Sequence, residues 1–209
     1  MFNAKHVAKT HIDVQGEAQI WGEWVHKQFE NYIDINQELP EELQSHKKYL
    51  DRLREKPGHY WCEQKIGLDT KGQPCTWFVP WVFWRGKLDF KKISPEREYG
   101  AIPRTATLVD YKTGKVKQDF SQLMWYAIHT FAECPDVELV NAQFYWTQTE
   151  EVSKQVYGRG DIPKLWAHFM PDLKQYKEAF ITDTWQPRPN GLCKGWCPKT
   201  DCPFWSSKR

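Results

Sequence analysis

The sequence predicts one mixed α/β domain, in which helices flank a central mixed β-sheet, followed by a C-terminal helix and a Cys-rich tail. Two observations predict this class. Segments with helical hydrophobic spacing alternate with segments rich in β-branched and aromatic residues, and a length of 209 residues suits a single core. The 12 Trp, 9 Tyr and 11 Phe residues and a net charge of only +2 exclude intrinsic disorder. We assign residues 1–181 to the domain and residues 182–209 to a tail packed on it.

The first half of the chain is predicted to form two helices and a β-hairpin. Apolar side chains recur every three or four residues through the first helix, and His26 lies at the edge of that apolar stripe. Pro40 begins the second helix, whereas Pro80 inside the second strand indicates an edge position or a bulge. The predicted elements are helices over residues 15–32 and 41–55 and strands over residues 60–68 and 76–90.

The second half of the chain alternates between predicted strands and helices. Residues 91–105 are interrupted by proline and glycine and are predicted to be a loop. Asp119 is predicted to cap a helix that Pro135 ends. The predicted elements are strands over residues 105–111 and 137–147, the helix between Asp119 and Pro135, and a last helix over residues 162–176.

Composition and the N-terminal residues also bear on location and partners. The longest apolar stretch, residues 77–84, is far shorter than the roughly 20 residues that cross a bilayer. The N-terminal segment lacks the apolar run of a signal peptide, so we expect a cytoplasmic protein with reduced thiols. Because the net charge is close to zero, any surface for nucleic acid is expected to be local.

Three charged residues in two successive predicted strands have the chemistry of a hydrolytic metal site. Asp110 and Lys112 project from the same side of one strand, about 7 Å apart at their Cα atoms. Asp89 lies near the end of the preceding strand. If the strands are neighbours, both carboxylates can bind one Mg²⁺, and Lys112 would face an attacking water. A solvated surface ion pair is the structural alternative.

Three other residue pairs have a spacing that fits either a functional site or a purely structural role. Gly22 precedes His26 by one helical turn, so another backbone or a ligand can approach the helix there, although such a histidine can also be a hydrogen-bonded core residue. Gln122 and Tyr126 share a helix face. Glu63 shares a strand face with Lys65, where solvent exposure is the alternative.

Taken in order, these motifs resemble those of a known enzyme family. They are Gly22-x-x-x-His26, Glu63, Gly86-x-x-Asp89, Asp110-Tyr-Lys112-Thr-Gly and Gln122-x-x-x-Tyr126. Their order and spacing resemble the RecB-like branch of the PD-(D/E)XK nuclease superfamily, whose core resembles that of restriction endonucleases. The chain looks most similar to short bacteriophage exonucleases, which are relatives of the CRISPR-associated RecB-like exonucleases. The resemblance spans about residues 15–148.

The resemblance implies a role for each of these residues. The implied metal ligands are His26, Asp89, Asp110 and the main-chain carbonyl of Tyr111. Lys112 would be the catalytic lysine, and Gln122 and Tyr126 would position the DNA strand or brace the site. Glu63 matches an acidic position that the family uses less uniformly, and Asp110 stands where glutamate is commoner.

The expected function is that of a Mg²⁺- or Mn²⁺-dependent DNA exonuclease with two ions per site. The resemblance implies that it hydrolyses phosphodiester bonds of linear DNA in phage recombination, replication or repair, in the cytoplasm of a bacterial host. Related phage exonucleases form oligomers, so an oligomer is possible here. Two alternatives stay open, namely an endonuclease of the same fold and a catalytically idle DNA-binding or interaction module.

Cysteines and basic residues supply further candidates. Cys193, Cys197 and Cys202 are closely spaced in the tail, which permits a zinc site, an iron–sulfur cluster or a metal-free tail; a fourth ligand is not identified, although His6 and His11 lie in the region where the family has one. Three further cysteines are interpreted as buried small residues: Cys62, Cys75 and Cys134. Basic residues predicted on loops around the site, with a solvated surface as the alternative, are Lys91, Lys92, Arg97, Arg104, Lys115 and Lys117.

The tryptophans have two interpretations. Trp77, Trp81 and Trp84 have side chains on which unpaired bases can stack, but their spacing in a predicted strand favours the core. We assign them no role and interpret most of the 12 tryptophans as core residues.

Overall fold

A computed structural model describes residues 16–95, 104–187, 189–194, 197 and 199–206 of the chain. These residues fall into two compact units. The first unit covers Glu17–Ala167 and contains the β-sheet, and the second includes the described residues from His168 onward. No described helix is both long enough and apolar enough to cross a membrane.

Two helices begin the first unit, four strands follow them, and a third helix then precedes the last two strands. The helices are α1 (Glu17–Ile35), α2 (Lys47–Glu55), α3 (Ser121–Glu133) and α4 (Ile162–Thr182). The strands are β1 (His59–Asp69), β2 (Pro74–Cys75), β3 (Val82–Ile93), β4 (Thr105–Lys112), β5 (Leu139–Trp146) and β6 (Glu151–Gly158). Short 3₁₀ helices cover Glu41–His46, Arg159–Asp161 and Gly191–Cys193.

The six strands form one mixed sheet flanked by helices, as the predicted class requires. Their order is β2-β1-β3-β4-β5-β6. Neighbouring strands are antiparallel except for β4 and β5, which are parallel because α3 carries the chain from one to the other. Alternation along β4 places Tyr111 in a core with α1, whereas Asp110 and Lys112 contact Gln122 of α3.

The apolar stripe of α1 forms the core that fixes the site from one side. Burial of such a stripe is favourable in proportion to the apolar area removed from water. The apolar stripe of α1 packs with α2 and with the central strands. The fully buried members of this core are Val25, Phe29, Leu50, Phe90 and Val109. The position of His26 follows, because it lies one residue beyond Val25 at the edge of the buried stripe.

The second predicted strand begins later and ends later than the sequence indicates. Residues 76–81 form turns rather than strand, so Pro80 precedes β3 instead of lying in it. Arg85 Nε holds this turn segment by donating to the carbonyl of Trp77 at 2.8 Å. Because β3 continues to Ile93, the start of the predicted loop is strand.

Strands β2 and β6 are absent from the sequence-based prediction. In β6 the apolar residues Val152 and Val156 are exposed, so its alternation has no large buried face to signal a strand. Instead, β6 is defined by its antiparallel pairing with β5 along its whole length. The pairing of β2 is limited to Pro74 and Cys75, too few residues to leave a pattern.

Most of the tryptophans and all three cysteines interpreted as core residues are not buried, although Trp24 and Cys62 pack against the core. Among the tryptophans whose side chains the structure describes, Trp146 alone is buried, because an indole is large and seldom loses all contact with water. Trp81 is 63 % exposed. The cysteines predicted to be buried are each partly exposed, namely Cys62, Cys75 and Cys134.

Candidate active site

The site lies where β3 and β4 stop pairing. Their recorded pairs run from Ile93 with Ala106 to Phe90 with Val109, and Asp89 and Asp110 come directly after the last of these. Asp89 therefore lies inside β3 rather than near its end. In place of a main-chain partner, the N–H of Tyr111 donates to Asp89 Oδ2 at 2.7 Å. Both carboxylates are consequently held at the same opening in the sheet.

His26 reaches this opening from α1. Its Nε2 contacts the carbonyl oxygen of Tyr111 at 3.0 Å, and its Nδ1 lies 3.3 Å from Asp89 Oδ1. Burial lowers the pKa of His26, but the hydrogen bond to Asp89 and the charges of Asp89 and Asp110 outweigh that effect and raise the pKa above its ordinary value. Both ring nitrogens thus face oxygen acceptors, so the site favours a positive charge at this position.

Glu63 belongs to the same cluster because of an unusual backbone conformation in β1. Its φ is +52°, in the left-handed region that non-glycine residues seldom adopt in a strand. Its Oε1 lies 3.7 Å from His26 Nδ1, is buried and has no hydrogen-bond partner among the described residues. The other carboxylate oxygen forms an ion pair with Lys87. Ligand atoms of His26, Glu63 and Asp89 all lie within 4.8 Å of one another.

Asp110 and Lys112 form a second cluster with the first turns of α3. Lys112 Nζ lies 2.5 Å from Asp110 Oδ2 and donates to Gln122 Oε1 at 2.7 Å. Gln122 Nε2 donates to Asp110 Oδ1 at 2.6 Å. The prediction that Asp110 and Lys112 project from the same side of β4 is therefore confirmed, and Gln122 fixes both side chains.

Tyr126 joins this cluster to β3. Its hydroxyl donates to the carbonyl oxygen of Lys87 at 2.7 Å and lies 3.4 Å from Asp110 Oδ1. Burial raises the pKa of Tyr126, so the phenol stays protonated and remains a donor. A Cβ at Gly86 would lie 3.0 Å from the Tyr126 ring and 2.5 Å from that of Trp84. Glycine at position 86 is what lets this tyrosine approach the strand.

Asp110 is almost completely buried, and its surroundings oppose its negative charge. Desolvation and the neighbouring charge of Asp89 raise the pKa of Asp110, an effect that Lys112 and His26 offset only in part. Buried carboxylates are retained at a free-energy cost unless a cation neutralises them. Each carboxylate at the opening has one basic neighbour, namely Lys87 for Glu63, His26 for Asp89 and Lys112 for Asp110, yet the pKa of Asp110 remains raised.

The donor atoms at this opening suit a hard divalent cation. Three carboxylates, one main-chain carbonyl and one imidazole give the oxygen-rich set that Mg²⁺ and Mn²⁺ prefer. Because a metal-binding histidine must be neutral, such a cation would compete with a proton for His26, whose pKa the neighbouring carboxylates raise. The structure brings Glu63 to His26 and Asp89, whereas Asp110 lies outside that group and is held by Gln122.

Gly22 has a steric role at the start of the motif. A Cβ at this position would lie 3.1 Å from Thr113 Oγ1, just after the end of β4. The glycine therefore allows α1 to approach the end of β4, one helical turn before His26.

The prediction that Lys91 and Lys92 lie on a loop, exposed to DNA or solvent, is wrong. Both are buried in β3, where Lys91 pairs with Glu133 and Lys92 donates to the carbonyl of Leu53. Arg104 forms an ion pair with Asp136. Lys115 and Lys117 are exposed between β4 and α3, and Arg97 lies outside the described residues.

The tail cysteines do not form a cluster of ligands. Among the described residues, His26, Glu63 and Asp89 are the one such group, and it contains no thiol. All six cysteines are free thiols. His6 and His11, in the region where a fourth ligand was considered, lie outside the described residues.

Sequence reasoning missed Lys87 and Phe144 at this site. Lys87 pairs with Glu63, and the ring centroid of Phe144 lies 5.1 Å from Lys112 Nζ. Lys87 could have been found from its place two residues before Asp89 on one strand face, whereas the contact of Phe144 depends on the parallel pairing of β4 with β5.

Comparison of the chain with models of known protein families and with curated proteins gives no match.

Proposed function

We propose that this protein is a Mg²⁺- or Mn²⁺-dependent deoxyribonuclease that hydrolyses phosphodiester bonds and acts as an exonuclease on linear DNA. One observation carries the proposal. The group of His26, Glu63 and Asp89 shares an opening of the sheet with the buried Asp110 and its ion-pair partner Lys112. The resemblance noted from the motifs supports the same activity and suggests phage DNA recombination, replication or repair as its setting.

Side chains at the opening divide into those that would hold cations and those that would act on the DNA. His26, Glu63, Asp89 and the carbonyl of Tyr111 would hold the first ion, and Asp110 would contribute to a second. Bound divalent cations supply Lewis acidity for the phosphoryl oxygen and lower the pKa of water.

Lys112 is the group best placed to act on the reacting atoms. Its ammonium lies beside Asp110 yet remains partly exposed, so it can reach a phosphate at the opening. There it would orient the attacking water and stabilise the negative charge that develops on the phosphate. Gln122 and Tyr126 are positioning residues, because they fix Asp110 and Lys112 through hydrogen bonds.

A catalytically idle DNA-binding module is the competing proposal from another class. An idle module would not need a buried carboxylate at position 110. Asparagine there would still accept the hydrogen bond from Gln122 and would avoid the free-energy cost of burying a charge. An endonuclease of the same fold would use the same residues and differs only in its substrate.

Degradation of linear and circular DNA in Mg²⁺ tests the proposal. We expect the wild type to degrade linear DNA and leave circular DNA intact. Lys112→Ala should lower the rate by roughly 100-fold or more, because a positioned charge-stabilising group contributes a factor of this order. Lys48→Ala, at an exposed lysine of α2, is the matched control and should retain the wild-type rate.

Each other outcome has a definite meaning. Nicking of circular DNA would assign an endonuclease. Binding of DNA without degradation would assign the idle module. Equal rates for the wild type and Lys112→Ala, with matching melting temperatures, would contradict the mechanism.

A further inference from the structure

A cavity lies between the hairpin of β1 and β2, with the turn that follows it, and the last turns of α3. Its volume is about 460 Å³, and none of the candidate metal ligands lines it. Lys65, Trp77 and Phe78 line it from the hairpin side, and His129 and Glu133 line it from α3. The cavity thus combines aromatic walls with a small number of polar groups, which is the usual composition of a ligand site.

The polar part of this cavity has unused hydrogen-bonding capacity. His129 is 2 % exposed, and its Nδ1 has no hydrogen-bond partner among the described residues. The nearest carboxylate oxygen, Glu133 Oε2, is 3.8 Å from that nitrogen and lies 2.5 Å from Lys91 Nζ. Burial lowers the pKa of His129 to about 4, so the ring is neutral at physiological pH. Buried polar atoms of this kind are normally satisfied. His129 lines the cavity, but its Nδ1 has almost no accessible surface, so a ligand there reaches this atom only after a small shift of the surrounding side chains.

The rim of the cavity exposes aromatic side chains on a well-held turn. Phe78, which lines the cavity, is 79 % exposed, and Trp81, in the same turn but not in the lining, is 63 % exposed. Their turn is fixed by the bond from Arg85 to the carbonyl of Trp77 and by the N–H of Val79, which bonds to the carbonyl of Thr76. These rings are therefore displayed on a fixed segment of backbone.

Basic residues connect this rim to the candidate active site. Lys65 Nζ lies 5.5 Å from the centroid of the Phe78 ring. Lys65 pairs in register with Lys87, whose side chain forms the ion pair with Glu63. Glu63 and Lys65 are two residues apart on β1, so Lys65 follows the candidate metal ligands along this strand. A nucleic acid strand at the opening can therefore pass Lys65 and reach the rim.

We propose that this cavity binds an unpaired base of a single-stranded DNA end, with Phe78 stacked on the base and Lys65 at the adjoining phosphate. A nucleobase has a flat apolar face and a polar edge, which suit Phe78 and His129 respectively. The exposed cations beside the rings favour a polyanion over an apolar peptide. The inference rests on the proposed function and names its substrate as a single strand.

Titration of a fluorescent single strand of roughly 10 nucleotides tests this inference by anisotropy, with divalent cations removed by a chelator. We expect Phe78→Ala to weaken binding at least about fivefold, since one stacked base contributes at least that factor. Thr76→Trp, which fills the cavity while keeping every other side chain, should weaken binding similarly. Phe180→Ala, at an exposed phenylalanine outside the first unit, is the matched control and should bind like the wild type.

An abasic strand of equal length separates stacking from charge. Phe78→Ala should bind it as the wild type does, whereas Lys65→Ala should bind both strands more weakly. Equal losses for Phe78→Ala on the normal and abasic strands, or no loss on either, would overturn the inference. Self-association of the wild type that Phe78→Ala abolishes, without strand binding, would also overturn it. The chelator prevents hydrolysis, so this binding test does not depend on cleavage. If the protein binds the strands as expected here but does not cleave DNA in Mg²⁺, the nuclease proposal fails and the base-binding inference stands.

Discussion

At the scale of single residues, Glu63 shows how the backbone of this chain serves the candidate site. Four described non-glycine residues have positive φ, and Glu63 alone among them lies within a strand. A left-handed conformation costs about 1–2 kcal/mol for a residue with a Cβ. The contacts of Glu63 with His26 and Lys87 depend on this conformation, so the strain and the proposed role belong together.

Comparison of Glu63→Gly with Glu63→Ala separates the strain from the carboxylate. Both substitutions remove the acid, but glycine adopts a positive φ without penalty. We expect Glu63→Gly to be more stable than Glu63→Ala by about 1 kcal/mol in urea denaturation, with both variants losing nuclease activity. A more stable Glu63→Ala would show that position 63 carries no left-handed strain.

The predictability of the site also differs from residue to residue. The shared side of Asp110 and Lys112 follows from the two-residue period of a strand and could be predicted. The approach of Glu63 to His26 could not, because it depends on one dihedral angle and on the packing of α1. The sequence pattern carries neither of these.

At the scale of elements, the end of α2 shows the structural role of Lys92, which the sequence had placed on a loop. Its Nζ donates to the carbonyls of Leu53 at 2.6 Å and Arg54 at 3.0 Å. The last carbonyls of a helix have no partner within it, so an ammonium there satisfies them and complements the helix dipole. Lys92 therefore joins α2 to β3.

Replacement of Lys92 by methionine tests this assignment. Lys92→Met keeps most of the side-chain volume but leaves two carbonyls without their donor, so we expect a loss of about 1–3 kcal/mol of unfolding free energy. DNA affinity of the folded protein should be unchanged. Lys48→Met, at an exposed position of α2, should leave stability unchanged. Weaker DNA binding without destabilisation would restore Lys92 as a DNA contact.

Prediction of the elements succeeded where an apolar face is buried. The periodic stripes of α1 and α3 and the apolar run of β4 locate those elements to within a few residues. It failed at the turn over residues 76–81 and at β6, where aromatic or apolar residues are exposed. Hydrophobicity alone does not distinguish an exposed tryptophan such as Trp81 from a buried one.

At the scale of the whole molecule, the near-neutral charge conceals a strong local separation. Acidic side chains converge at the opening between β3 and β4, while exposed lysines lie beside it and along β1. Acidic and basic residues nearly balance over the whole chain, so the net charge of +2 gives no indication of either region. The mixed α/β class could be predicted from composition and periodicity, but the presence of two compact units depends on contacts that no local pattern records.

Hydrolysis of linear DNA during Mn²⁺ titration of the chelator-treated protein tests the central claim most directly. We predict no hydrolysis before Mn²⁺ is added and a rate that then rises to saturation. At every Mn²⁺ concentration, Asp89→Asn should hydrolyse DNA at least about 100-fold more slowly than the wild type. Loss of a residue that only supports a metal ligand already lowers activity about 10–100-fold, and Asp89 is a proposed ligand itself. Glu55→Gln, at an exposed acid of α2, should match the wild type. Hydrolysis in the chelator, or an Asp89→Asn curve equal to that of the wild type, would contradict a metal-dependent nuclease at this site.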